Sequence, residues 1–325
     1  MATYVLAVDI GGTKILTAAV GLDGAVVARR RADTPSRGVE PVLAAAEDGV
    51  RAVLRDSRLT LRDVTAVGVG APGPLDPDTG VVFEPPNMEG WHNVPLAELL
   101  TARLHVPVFV ENDANAAAVG EWWVGAGRGV HDLIYLTVST GIGGGIIIGD
   151  RLVHGVSGTA GEVGHMTIDV DGPACFCGRS TGCLEALASG TAIGRMAREA
   201  VEAGRPSALL QMARGDPAAI GAQHVEAAAR AGDAVALEIF NRAATYLGVG
   251  VANLLNLFNP RRIIIGGGVS RAGALLFEPV RRIAKARAFE RPGRDCEIVP
   301  AALGDDVGAV GAAAIALQRT GIALR

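Results

Sequence analysis

The chain has 325 residues, enough for about two domains at roughly 150 residues each, and its 49% hydrophobic and 20% charged content is that of a core-forming protein, which excludes disorder and fibrous repeats. Thirty basic against 34 acidic residues leave a net charge of -4, which offers a nucleic acid no electrostatic footprint. Mean hydropathy is +0.32, yet no apolar run reaches the roughly 18 residues of a membrane span and the N-terminus lacks the basic start of a secretory signal, so a cytoplasmic protein is expected.

From Tyr4 the run YVLAVD reaches a glycine turn, ILTAAV resumes, and Asp23-Gly24 leads into AVVARRRA, which predicts a three-strand meander. Residues 41–56 have helical period, VTAVGVGAPG reads as a buried strand entering a loop, LAELLTARL as a helix and VPVFVEND as another strand. Between Asp132 and His154 the first pattern returns as LIYLTV, the turn STGIGGG, IIIGD and RLVHG, so one supersecondary unit occurs twice, about 130 residues apart. Residues 185–200 and 218–258 read as Ala- and Leu-rich helices, RRIIIGGGVS as a strand ending in glycines, and DDVGAVGAAAIALQ as a last helix. Strands alternating with helices imply a layered α/β architecture with mixed sheets.

Five stretches carry candidate chemistry. At Asp9-Ile10-Gly11-Gly12-Thr13-Lys14 the glycines let backbone N–H groups face a phosphate, and the acid beside them could hold Mg2+; taken alone, a tight hairpin with Asp accepting turn N–H bonds is the stronger reading. Ser139-Thr140-Gly141-Ile142-Gly143-Gly144-Gly145 looks like a dinucleotide fingerprint but runs into a strand instead of opening a helix, and the chain has no P-loop, so both of those nucleotide folds are disfavoured. Two such turns in duplicated halves would instead suit one polyphosphate.

Glu111-Asn112-Asp113 ends a strand where a helix begins. An Asp there is often a helix cap, but strand ends in α/β folds also hold catalytic groups, and a carboxylate there could take a proton from a hydroxyl nucleophile. Three of the four cysteines, Cys175, Cys177 and Cys183, lie within nine residues, and with His165 they make up a Cys3His set suited to a structural zinc, flanked by Glu162 and Glu185. Free thiols in a loop are the alternative. Gly266-Gly267-Gly268 after RRIII suits either an adenosine lying flat on backbone or a plain strand-to-helix turn.

These blocks resemble the ROK family of repressors and sugar kinases, within the hexokinase and actin-like ATPase superfamily. The resemblance covers nearly the whole chain: DIGGTK, APGPL, ENDAN, VSTGIGGGI with Gly155 at the expected distance, GEVGH, CLEALASG and LGDDVGAVGAA occur in the family's order. It implies two actin-like (ribonuclease H-like) domains with mixed five-stranded sheets flanked by helices and the active site in the cleft between them. The expected division is residues 1–115, joined by a C-terminal helix at 306–325, and residues 116–305 with the zinc loop.

It further implies an ATP-dependent hexose kinase acting on the 6-hydroxyl of glucose. Asp113 would be the base, and Gly73, Asn87, Asn112, Glu162, His165 and Glu185 would hold the sugar. Asp9 would position Mg2+. Gly11, Gly12, Thr13, Lys14, Thr140, Gly141, Gly143 and Gly144 would contact the phosphates of ATP, and Gly266, Gly267 and Gly268 the adenosine. His165, Cys175, Cys177 and Cys183 would bind Zn2+, and the protein would act as a homodimer or homotetramer without nucleic-acid or membrane partners.

N-acetylmannosamine, N-acetylglucosamine and fructose kinases are the alternatives within the family. A sugar-responsive regulator is disfavoured because only eight residues precede Asp9, and a sensor without catalysis would be expected to lose Asp113. One departure bears on Cys183 and Glu185: five residues separate Cys177 from Cys183, where the family usually has four.

Overall fold

The computed structural model describes residues 4–85 and 88–324. Its first strands are β1 (Tyr4–Ile10), β2 (Lys14–Gly21) and β3 (Val26–Asp33), followed by helix α1 (Val39–Ser57) and strand β4 (Val64–Ala71). Three short strands, β5 (Leu75–Asp76), β6 (Val81–Val82) and β7 (Val94–Pro95), form a small sheet of their own before α2 (Leu96–Leu104), β8 (Val108–Asn112) and α3 (Asp113–Val124). The second meander is β9 (Leu133–Val138), β10 (Ile142–Ile148) and β11 (Arg151–Leu152). Helices α4 (Leu184–Ala188), α5 (Gly190–Glu202), α6 (Leu209–Met212), α7 (Ala222–Arg230) and α8 (Ala234–Phe258) lead to β12 (Arg262–Gly266). The chain ends with α9 (Ala274–Arg287), α10 (Glu290–Asp295), β13 (Glu297–Pro300) and α11 (Val307–Arg319).

The duplication read from the sequence is present in the topology. One five-stranded sheet has the order β3-β2-β1-β4-β8 and the other β11-β10-β9-β12-β13, position for position the same connectivity. In each, a meander of antiparallel strands gives way to parallel ones. Parallel strands covered by helices on both faces need continuous apolar runs rather than alternation, which is why Ile263, Ile264 and Ile265 in β12 are all fully buried. The chain divides into two compact units, one made of Met1–His131, Gly145–Gly161 and Ala301–Arg325, the other of Asp132–Gly144 and Glu162–Pro300.

The stretches 185–200 and 218–258, each expected to be helical, are broken in the structure. Ser189 ends α4 and caps α5, its hydroxyl accepting the N–H of Ala192. Gly232, at φ +86°, and Asp233, whose carboxylate accepts the N–H of Ala236, separate α7 from α8. No helix among the described residues is long and apolar enough to cross a membrane.

In the first unit α11 lies on the sheet at unusually close range. A Cβ added at Gly311 would stand 1.8 Å from the carbonyl oxygen of Ala116 in α3. Overpacking of this kind costs about 1–3 kcal/mol or more. Gly311→Ala should therefore lower the unfolding free energy by at least about 1 kcal/mol in urea titration, and an unchanged midpoint and slope would contradict this packing.

Candidate active site

In the first unit, the register of the parallel strands sets Asp9 of β1 opposite Gly70 of β4, and Gly70 opposite Glu111 of β8, with Ala71 opposite Asn112 one step on. These are the carboxyl ends of the strands, where open α/β sheets carry their ligands. Asp9 is partly exposed, but its carboxylate lies against the first turn of α11, where a Cβ at position 308 would stand 2.3 Å from Oδ2 and would push the carboxylate aside. Burial pushes its carboxyl from 3.8 up to about 6, against the opposing pull of Lys14. The Gly11 N–H donates to the Lys14 carbonyl at 2.9 Å, closing the turn, while Gly12, Thr13 and Lys14 are exposed.

The cap of α3 is Asn112, whose Oδ1 accepts the N–H groups of Ala114 (3.0 Å) and Asn115 (3.1 Å). Asp113 is therefore the first helical residue rather than the cap, and its Oδ1 accepts the Ala114 N–H at 2.8 Å. Gly73 lies beside Asn112, its Cβ position 3.2 Å from Nδ2. Asn87 falls outside the described residues.

In the second unit, β9 runs into Ser139 and Thr140, both exposed, and β12 into Gly267 and Gly268, with Gly266 opposite Thr137 in the register. Gly143 and Gly144 fall inside β10. A cavity of about 600 Å³ opens here, lined by Thr140, Gly268 and Val269 together with Thr191, Arg198 and Gln223. The last three escaped the sequence reading. The signal available for Thr191 was the Ser189-Gly190-Thr191 start of a helix, where the Thr191 hydroxyl and N–H both donate to the Thr140 carbonyl.

Glu185, in the first turn of α4, accepts the Ile142 N–H at 2.8 Å. A side chain at Gly141 would begin 2.4 Å from the same carboxylate, so anything larger than glycine there would displace the Glu185 carboxylate from the Ile142 N–H. Glu162 is exposed, with its carboxylate 3.9 Å from Nε2 of His165.

The ligand atoms of His165, Cys175, Cys177 and Cys183 all lie within 4.8 Å of one another. A tetrahedral zinc with Zn–S bonds of about 2.3 Å would separate its sulfurs by about 3.8 Å, so the four residues fit the ion. The His165 ring turns Nδ1 toward Cys175, 3.6 Å from Sγ. The five residues between Cys177 and Cys183 form a loop that turns back through Gly178 (φ +66°) and Gly182 (φ +60°), with Ala174 bridging Thr181 and Thr167 bridging Cys183. Burial raises the Cys175 thiol well above its usual range, whereas the Arg179 N–H lowers Cys177 to about 7. A dication at the centre would favour the thiolate of both.

A family profile described as "ROK family" matches residues 5–319. Over 322 residues the chain is 39% identical to a glucokinase of Thermotoga maritima, covering 97% of this chain and 98% of that one. It is 39% identical to a glucokinase of Halalkalibacterium halodurans, covering 95% and 93%. Among solved structures, a ROK family glucokinase from Streptomyces griseus in complex with glucose and AMPPNP matches with a TM-score of 0.86 and 40% identity over 97% of this chain and 99% of that one.

The raised Asp9 carboxyl has a consequence for stability. The fold holds the Asp9 proton more tightly than the unfolded chain does, so its contribution is fully present below about pH 3.8 and is lost as pH rises through about 6. Without divalent cation or nucleotide, Asp9→Asn should gain stability over wild type between pH 4 and 6.5 in urea titrations. Parallel curves for the two proteins across that range would remove the buried-acid reading.

Proposed function

This chain belongs to the ROK family, and from that premise we propose that it is an ATP-dependent glucose kinase forming glucose 6-phosphate. What carries the reading is the full-length likeness to a glucokinase solved with glucose and an ATP analogue. The layout of the residues supports it. Loose phosphoryl transfer needs positioning and charge neutralisation more than covalent chemistry, and the Asp9 turn, the Thr140 turn and the Thr140–Gly268 cavity suit the phosphates and adenosine of ATP.

Asp113 is the proposed base: its carboxylate accepts the proton of the sugar 6-hydroxyl as that oxygen bonds to the γ-phosphorus and the bond to the β-phosphate oxygen breaks, releasing ADP. Asn112 serves as the helix cap, and Asp113 stands one residue on at the carboxyl end of β8, where catalytic groups of α/β sheets sit. Asn112, Glu162, His165 and Glu185, with Gly73 and Asn87, are the proposed sugar contacts. Asp9 is the proposed anchor for Mg2+, which when bound neutralises charge on the phosphates.

His165, Cys175, Cys177 and Cys183 are the proposed zinc ligands, His165 through Nδ1, leaving Nε2 for the sugar. A fixed metal holds a ring orientation that rotation would otherwise lose. The proposal includes a homodimer or homotetramer in the cytoplasm acting on a small sugar, without nucleic-acid or membrane partner; the net charge of -4 supports the exclusion of nucleic acid.

In a coupled assay across a hexose panel, glucose should give the highest kcat/KM with MgATP; a higher value for N-acetylmannosamine would overturn the choice of sugar. Asp113→Asn should lower kcat by roughly 10²- to 10⁴-fold while glucose binding stays within about tenfold, and wild-type turnover in this variant would demote Asp113. For the metal, elemental analysis should find about one zinc per chain, and Cys177→Ser should lose it along with thermal stability. Protein purified without chelator that contains no zinc, and a Cys177→Ser variant as stable as wild type, would sink the zinc proposal.

A further inference from the structure

Glu111, one residue before Asn112, is 2% exposed. Its Oε1 accepts the backbone N–H of Asn112 at 2.9 Å and the side-chain amide of Asn115 at 3.1 Å, and its Oε2 meets Nε2 of His154 at 2.7 Å. A carboxylate buried this deeply is costly unless paired and hydrogen-bonded, and all three partners are supplied from two places in the first unit: the β8–α3 junction and the stretch after β11. Asn115 is also 2% exposed and its Oδ1 has no partner among the described residues, so the bond to Glu111 is what orients that side chain.

The His154 backbone is itself held. Its carbonyl accepts the Ala160 N–H at 2.9 Å, and the loop is seated on β5, with the Cβ position of Gly158 3.2 Å from the Leu75 carbonyl oxygen.

We infer that Glu111 and His154 form a positioning pair for the β8–α3 junction, aiming the Asn112 amide and the Asp113 carboxylate. Neither residue is assigned to the sugar or the nucleotide. The hydrogen bond to Glu111 raises the His154 pKa above 6.5, Asp78 adding to this and Arg319 opposing it, and those last two pair with each other at 2.9 Å. With the proton on Nε2 the imidazole donates to the Glu111 carboxylate, and as an imidazolium it also neutralises the buried charge. Its removal leaves Glu111 short of one partner, with the Asn112 amide as the nearest group to be pulled out of line.

The effect on turnover rests on the kinase reading; the effect on the junction does not. In the full chain, His154→Leu should speed amide hydrogen exchange at residues 111–115 about tenfold. It should lower kcat for glucose at least about tenfold while the KM for ATP stays within twofold, since misplacement of a reacting group by 1 Å can cost about 10²-fold. His154→Gln, which restores an N–H donor, should recover kcat to within about threefold of wild type. Unchanged exchange at 111–115 in His154→Leu would overturn the inference, as would wild-type kcat in that variant, or a Gln variant no better than Leu. Faster exchange in His154→Leu alongside a wild type that turns over no hexose would instead leave the pair standing and overturn the kinase reading.

Discussion

Backbone against backbone, without side chains between, is the contact on which the first unit depends. A Cβ at Gly68 of β4 would stand 1.8 Å from the Ala312 carbonyl oxygen of α11, and Gly311 of α11 stands in the same relation to the Ala116 carbonyl of α3. At such range α11 can carry only small residues toward its neighbours, and Gly308 to Ala314 is a run of Gly, Ala and one Val, all buried. The closeness places the first turn of α11 on the Asp9 carboxylate and locks α3, whose start carries Asn112 and Asp113, against the same helix. A larger residue along this run would separate the helix from the groups it organises.

Three carboxylates then stand within one set of strand ends, and their surroundings give them different work. Asp9 is enclosed enough for its proton to be held to about pH 6, with Lys14 as the opposing charge. Glu111 is buried and committed to Asn112, Asn115 and His154, which suits it to hold others in place. Asp113 opens a helix capped by its neighbour, so its carboxylate is not needed as the cap. In the second unit the same economy appears at Glu185, which braces the Ile142 N–H, and at His165, whose two ring nitrogens face Cys175 and Glu162.

Much of this was legible in the residues. The repeated meander, written as LAVDIGG and LTVSTGIGG, returned as two sheets of identical strand order because apolar runs separated by glycine turns leave few other pairings. The cluster of His165, Cys175, Cys177 and Cys183 was legible because a Cys3His set in a glycine-bracketed loop has few competing uses, and Gly178 and Gly182 take the positive φ at which the loop reverses. Other features were hidden. Nothing local distinguishes Asn112 from Asp113 as the cap, since both residue types cap helices well. The breaks at Ser189 and Gly232 fell within Ala- and Leu-rich stretches whose periodicity runs straight through them. His154 lies 43 residues from Glu111, and Thr191 is 51 from Thr140, so neither contact leaves a trace in spacing.

The central claim, that the chain transfers the γ-phosphate of ATP to the 6-hydroxyl of glucose, is tested most directly by the identity of the bond formed. Phosphorus and proton NMR of a reaction containing the purified chain, glucose and MgATP should show ADP and a single phosphate monoester in equal amounts, with the phosphorus coupled to the two C6 protons of glucose. ADP accompanied by inorganic phosphate alone, or a monoester coupled to any other carbon of the sugar, would contradict the account.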